Sequence, residues 1–372
     1  MNPVTVVGED SNPALEVAGK TIAYLILVSW VLMTVLPLFW MSYSSLKSNE
    51  ELTRDIFAFP HDLFDNDQDE YRVVRPNLNM IPDFDPKEDT RERIVIESTT
   101  IAPGRGLMVY WLVEEEMPPE IRQLEVGDTL VVEDLPRDWQ RKIKRKTRWF
   151  NYQSAWERAG MGRKFLNSIL YSGMSTFLMI LFGMMTSFAV SKLPFKKLSA
   201  LVTGLIGMGY LLSINSVIIP LFLMLTRIGL TDTHVGIILV YTAFGLPLTV
   251  LLGSQFMRGL PTSLIESATM DGASYFRTFI SIILPMTIPV VITVAVISGL
   301  AIWNEFLLVL VLASSEATKS LPVGVYSFSS LTSSQLGWQL AALVIATAPV
   351  VIVYLLFNKQ LTKGVVAGAV KG

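Results

Sequence analysis

Glu266–Pro285, ESATMDGASYFRTFISIILP, is the one long polar-leaning segment in the apolar second half of the chain. Its residues are those of two short helices joined by a turn. Ser263 stands at a capping position with Glu266 three residues on, the spacing at which each side chain can bond the other's backbone N–H. Gly272 can take the left-handed conformation that ends a helix, because it carries no Cβ. Ser274 can cap a second helix, and Pro285 marks where the chain turns into the next apolar run. On these grounds alone the segment is a helix–Gly–helix elbow between membrane spans. A loop lying on the headgroups and a plain connector both fit it.

Outward from the elbow the chain is a series of apolar runs. A span needs about 20 residues to cross a hydrocarbon core of ~30 Å. The first run, Thr21–Ser45, is too long for a cleaved leader and has Trp30, Trp40 and Tyr43 where interface anchors belong. Further runs cover about 165–191, 200–226, 235–257, 286–313 and 338–358. Turn or charge signals separate them at 192–197, 227–232, the elbow and 314–337. The fold class expected is therefore an all-α polytopic membrane protein with six transmembrane helices. The composition agrees: of 372 residues 51% are hydrophobic and 17% charged, with mean hydropathy +0.47, whereas soluble domains carry about 25% charged residues. A net charge of −2 gives no footing for nucleic acid. The absence of cysteine removes disulfides, thiol nucleophiles and cysteine-ligated zinc, and two histidines, His61 and His234, do not make a histidine-rich metal site.

Charge sets the orientation. Lys20, Lys192, Lys196, Lys197, Arg258, Arg277, Lys359, Lys363 and Lys371 fall on one set of short segments, and only Arg227 and Lys319 on the opposite short loops. The positive-inside rule makes the first set cytoplasmic, with the elbow and both termini. Arg163 and Lys164 run against the rule, but they end a long loop, and long loops are largely exempt. The division expected is a cytoplasmic tail at 1–19, helix 1 at 20–45, an outside insertion at 46–164, the membrane core at 165–360 with its cytoplasmic loop at 258–286, and a cytoplasmic tail at 361–372. Within the insertion, residues 93–97, 107–113 and 129–132 read as strands, with turn signals at 104–106, Pro118-Pro119 and Gly127-Asp128. A small β-rich domain is expected there, followed by a basic connector at 141–146 that is solvated or lies along anionic headgroups.

Glu266-Ser267-Ala268, three residues, Gly272, nine residues, Ile282, one residue, Leu284-Pro285 resembles the E-A-A-x3-G-x9-I-x-L-P loop of ABC-importer permeases. Only Ser267 departs from it, where Ala is usual. The resemblance implies that Glu266, Ser267, Ala268, Asp271, Gly272, Ala273, Leu284 and Pro285 form a coupling element that docks into a cytoplasmic ATPase, with Glu266 offered to an arginine of that partner. The ending Leu361–Gly372 is similar to the L-x-x-G-x-x-A-G-A-V-K-G tail of maltose-type (MalG-like) carbohydrate permeases, in which an extended tail reaches the ATPase dimer. Trp303-Asn304-Glu305-Phe306 looks like the W-N-E/D-F feature of the same group. Glu305 is the one acid well inside an expected span. Such a charge faces a bundle interior, a partner on a neighbouring helix or a water-filled path, or already lies at the outer interface. As a candidate translocation path, Trp303 would stack a sugar ring and Asn304 and Glu305 would bond hydroxyls.

Asn167-Ser168 resembles the N-S pair of that family, with a helix cap or interhelical hydrogen bond as the plain reading. Gly204, Gly207 and Gly209 are expected to allow close helix packing, and Pro220, Pro247 and Pro289 to bend or break helices. Met174, Met179, Met184 and Met185 read as packing or lipid-facing surface. No GxxxxGK[ST] phosphate loop is present, so no cofactor is expected in this chain. The resemblance places ATP and Mg²⁺ in a separate ATPase. It implies an importer subunit in a prokaryotic inner membrane, partnered by a second permease, an ATPase dimer, an extracytoplasmic binding protein, a carbohydrate and membrane lipids. A secondary transporter or channel, or a membrane-anchored sensor using the insertion, are the alternatives. The resemblance does not reach the insertion.

Overall fold

The computed structural model describes residues 13–47, 49–60, 70–74, 92–98, 106–111, 128–131, 134–138, 140–141, 149–158, 160–328 and 336–369. The turn signals at 104–105, 118–119 and 127, the connector at 142–146, His61, and the two ends at 1–12 and 370–372 lie outside these residues. The chain divides into two units, Met1–Pro76 with Lys87–Asn151, and Asn77–Pro86 with Tyr152–Gly372.

In the first unit, α1 (Pro13–Ser44) carries an apolar stretch, Gly19–Ser44, long enough to span a membrane, and none of its most apolar window is buried. At its C-terminal end Trp40 Nε1 donates to Ile56 O at 2.9 Å, Tyr43 stacks on Phe59 with centroids 5.0 Å apart, and Asn151 Nδ2 bonds Ser45 O and Lys47 O. These bonds tie the chain after the short helix α2 (Asn49–Arg54) back to α1. Strands β1 (Glu70–Val74), β2 (Glu92–Ser98), β3 (Gly106–Trp111) and β4 (Thr129–Val131) form an antiparallel sheet in the order β3-β2-β1-β4. Val73 pairs with Ile96, Ile94 with Val109, and Tyr71 with Leu130. β2, β3 and β4 fall on the three expected strand segments. β1 was not expected, and it holds the central position between β2 and β4.

The second unit is helical: α3 (Phe150–Arg158), α4 (Met161–Lys192), α5 (Lys196–Leu211), α6 (Ile214–Arg227), α7 (His234–Arg258), α8 (Ser263–Met270), α9 (Tyr275–Thr278), a π-turn (Phe279–Ile283), α10 (Leu284–Met286), α11 (Ile288–Trp303), α12 (Leu307–Leu312), α13 (Leu321–Tyr326) and α14 (Leu336–Ala369). Among the described residues of the whole chain, four helices are long and apolar enough to cross a membrane, and up to six if each bent pair counts as one span. Ser175 Oγ donates to Ile238 O and Ser187 Oγ to Val250 O, a constant offset of 63 residues, so α4 and α7 run parallel. The chain between them passes from the C-terminal end of α4 to the N-terminal end of α7 through α5 and α6, bent by 101°. α11 runs antiparallel to α4, with Trp303 against Phe165 and Gly299 facing Thr176, and the segment from α9 to α11 is bent by 76°.

Several boundaries differ from expectation. The third expected span, 200–226, is broken at Leu212-Ser213 with no proline there. Pro220 and Pro247 lie inside continuous helices. The fifth, 286–313, ends at Trp303 and resumes at Leu307. The expected extended tail is helical through Ala369, because Leu361, Val365 and Val366 continue the apolar pattern of α14. Gly209 approaches Pro247, but a Cβ on Gly204 or Gly207 would meet nothing in the described residues.

Candidate functional site

The elbow is built on the C-terminal ends of α4 and α7. Met184 and Phe188 of α4, Met257 of α7, and Phe279 and Ile283 of the π-turn form one buried apolar cluster, with Leu260, Ile265 and Ile282 packed on it. Phe188 and Phe279 rings lie 5.4 Å apart. Lys192, the last residue of α4, donates from Nζ to Leu260 O at 2.7 Å, fixing the chain that leads into α8. The elbow is thus a rigid extension of two spans. The expected capping box is not formed: Ser263 is the first helical residue, Thr262 holds the cap position, and neither side chain caps. The reason is local. Thr262 is itself in helical conformation, φ −68° and ψ −27°, so no side-chain oxygen reaches back over the first turn.

The C-terminal end follows expectation. Gly272 has φ +76°, its N–H bonds Thr269 O at 3.0 Å, and Ala273 N–H bonds Ala268 O at 2.9 Å. That pair of bonds is the Schellman arrangement. Ser274 Oγ accepts from Arg277 N at 3.3 Å and caps α9. Glu266, Ser267, Asp271 and Pro285 are exposed, Ala273 and Leu284 are half-buried, and Ala268 is turned inward and buried. Met270, 87% exposed, projects beside them with Tyr275 and Phe276. The π-turn was not expected. Its only trace in the sequence is the β-branched, apolar run leading to Leu284-Pro285, which does not distinguish it from ordinary helix.

The second candidate group is split by the structure. Trp303 is buried, its Nε1 donates to Ala346 O at 3.1 Å, and its ring packs edge-on against Phe165 at 5.5 Å. Asn304 is exposed and bonds back to Leu300 O. Glu305 accepts from Tyr241 OH at 2.7 Å and from Leu308 N at 2.9 and 3.2 Å, so it caps α12 and ties it to α7. Phe306 packs against the core, with Tyr326 at 5.2 Å. The arrangement is the neighbouring-helix partnership that the sequence left open for Glu305. The spacing of Glu305 to the third residue ahead was the available signal for its capping role.

A third site was missed. Asp232 has φ +58°, and its Oδ1 accepts from Ser314 N, Ser315 N, Ser315 Oγ and Thr318 Oγ1. Asn167 Nδ2 donates to Ala317 O and Lys319 O at 2.7 and 2.9 Å, Ser168 Oγ accepts from Leu321 N, and Tyr171 OH donates to Thr318 O at 2.6 Å. Tyr171 has spent its one hydrogen there, so His234 Nδ1, 2.9 Å away, must donate to it. Lys164 is buried and pairs with Glu316 at 2.6 Å. Asn167 and Ser168 therefore hold the 314–321 loop on α4, and the Ser168 bond is the expected interhelical one, since Leu321 N is the first backbone N–H of α13. Partners some 150 positions away leave no local signal.

Hydrogen bonding from Thr318 chiefly holds the Asp232 carboxyl below its ordinary range, and Lys164, then Lys319, do the same for Glu316. A depressed folded-state value means stability that is present above the unfolded value, near 4, and lost as pH falls through the lower folded one. The thermal midpoint in detergent is expected to be level above about pH 5 and to fall below about pH 4. Asp232→Asn is expected to flatten part of that fall and leave the part due to Glu316. An unchanged acid limb in Asp232→Asn would contradict the assignment.

Residues 160–366 match the family of binding-protein-dependent transport system inner membrane components. The melibiose/raffinose/stachyose import permease protein MelC of Bacillus subtilis is 32% identical over 223 residues, 60% of this chain and 80% of that protein. The diacetylchitobiose uptake system permease protein NgcG of Streptomyces coelicolor is 33% identical, over 59% and 74%. The trehalose/maltose transport system permease protein MalG of Thermococcus litoralis is 31% identical, over 55% and 74%. The matched region begins one residue before α4 and holds both the elbow and the 314–321 loop, so this chain belongs to the family of binding-protein-dependent transport system inner membrane components.

Proposed function

We propose that this chain is one transmembrane subunit of an ATP-driven importer that moves a carbohydrate, an oligosaccharide by preference, through the inner membrane by alternating access. Relatives named for melibiose, diacetylchitobiose and trehalose uptake support the substrate class. The observation that carries the coupling is the elbow: exposed Glu266, Ser267 and Met270 stand on a buried cluster shared with α4 and α7, so a push on the elbow reaches two spans directly. In this reading a dimer of ATPases, holding ATP and Mg²⁺, closes and carries the elbow with it. The chain itself catalyses no reaction and acts with a second permease subunit and an extracytoplasmic binding protein. Both termini are cytoplasmic, and residues 46–164, with the four-stranded sheet, form a β-rich insertion outside.

Purification from the native membrane in mild detergent tests the reading. An ATPase and a second permease are expected to come with the chain. Recovery of this chain alone in several detergents would favour a channel or a sensor built on the insertion.

A further inference from the structure

The membrane-length run that holds α5 and α6 is broken at Leu212-Ser213, with 16 helical residues before the break and 14 after it. Both residues at the break are exposed. Non-helical backbone at that depth persists only inside protein or along a water-filled space, because its N–H and C=O groups lack helical partners. The side chains here are polar as well. Ser213, Asn215 and Ser216 are exposed, and Tyr210 stands exposed one turn before them. None of the four side chains has a hydrogen-bond partner among the described residues. Against hydrocarbon each would be left unpaired, at a cost that apolar contact does not offset. A second interruption, Asn304–Phe306, leads into α12, the helix that packs on α6, and Ile214 and Phe306 rest on one apolar cluster. Asn304 is exposed and uses its amide N–H on Leu300 O, which leaves its side-chain carbonyl oxygen without a partner among the described residues. The carboxylate next to it, Glu305, is engaged by Tyr241 OH and Leu308 N. The two breaks therefore offer hydroxyls, amides and one aromatic face, and no uncommitted charge.

We propose that Tyr210, Ser213, Asn215, Ser216 and Asn304 form a subsite in the translocation path for a neutral carbohydrate. The chemistry matches that class. Hydroxyl and amide groups exchange hydrogen bonds with sugar hydroxyls, and the C–H face of a pyranose lies flat on an aromatic ring. An ion or a phosphorylated solute would find no opposite charge here. A hydrocarbon chain or an apolar helix would leave all five groups unpaired, which separates this patch from the apolar surfaces elsewhere on α5 and α6. The subsite rests on the transport reading. It places solute contacts of this chain at the helix breaks, not on Trp303 and Glu305, whose polar groups are already engaged.

The chain contains no cysteine, so a single introduced cysteine reports without background. The test uses the full chain purified with the subunits that accompany it, in liposomes, both without nucleotide and with ATP and vanadate. Asn215→Cys is treated with methanethiosulfonates carrying a glucosyl, a hexyl or a sulfonate group, each rate taken relative to that reagent's rate with a free thiol. The glucosyl reagent is expected to react about tenfold faster than the other two in at least one of the two states. Tyr210→Ala added to Asn215→Cys should lower the glucosyl rate about tenfold, the effect of one ring-face contact, and leave the sulfonate rate unchanged. Asn304→Cys should show the same preference for glucosyl. Leu32→Cys, exposed on α1, should prefer hexyl. Hexyl preference in Asn215→Cys would overturn the subsite in favour of lipid. No reaction with any reagent in either state would overturn it in favour of a protein partner. Equal glucosyl and sulfonate rates would overturn it in favour of open water without a sugar site. ATP hydrolysis by the same preparation reports on the transport reading separately. Hydrolysis with no glucosyl preference removes the subsite alone, and glucosyl preference without hydrolysis keeps the subsite in a transporter of another kind.

Discussion

Gly272→Pro is expected to abolish transport while leaving the chain inserted and assembled in the membrane. Proline fixes φ near −65°, and Gly272 needs +76°, so the turn cannot form. The substitution also removes the N–H that bonds Thr269 O, and with it the alignment for the bond from Ala273 N–H to Ala268 O. α8 would then leave its seat, because Ala268 is the buried face of that helix. Gly272→Ala is the control. A left-handed alanine costs about 1–2 kcal/mol, which leaves a weakened but recognisable turn and partial transport. Glu266→Lys attacks the same element by charge. It reverses an exposed acid in the first turn of α8, where a negative charge is favoured by ~0.3–1 kcal/mol, and it opposes any cationic partner. Its loss is therefore expected in transport and in substrate-stimulated ATP hydrolysis, with membrane yield unchanged. Wild-type transport by both Gly272→Pro and Glu266→Lys would remove the coupling role from the elbow.

Gly183→Val is expected to fail earlier, at the level of the fold. α4 and α7 pack closely because small residues let them approach. A Cβ on Gly183 would lie 2.9 Å from Thr249 Cβ, and Thr249 is fully buried. Gly253, one repeat along, has Ser187 Oγ 2.5 Å and Met184 Sδ 3.0 Å from its Cβ position. Thr249 is short and branched, so it cannot swing away, and the two helices must separate. Overpacking of this kind costs about 1–3 kcal/mol, and here it also strains the bond from Ser187 to Val250 O. The thermal midpoint in detergent and the yield of inserted protein should both drop. Gly204→Val, a glycine with open space around it, should change neither. Equal behaviour of the two variants would refute the packing account.

Much of this architecture could be read from the chain alone. Run length and the near absence of charge specify spans, because a bilayer core admits only helices or closed barrels, and runs of about 20 apolar residues are of helix length. The elbow was legible because its information is local: Gly272 and Ser274 act on groups within five residues of themselves. The Glu305 cap is local too, although whether it faces a path or a neighbour was open until Tyr241 OH was placed against it at 2.7 Å. What the tertiary structure alone decided involves partners far apart in sequence. Asn167 and Asp232 find the 314–321 loop across 150 and 82 or more positions, and Trp303 is spent on Ala346 and Phe165 rather than left open. The break at Leu212-Ser213 carries no proline signal, and Pro285, two residues past the π-turn, does not distinguish that turn from an ordinary helix end, since apolar residues suit a straight span and a bent one equally. Hydrophobic pattern selects which residues leave water. Which of them meet is a property of packing, and the chain order does not contain it.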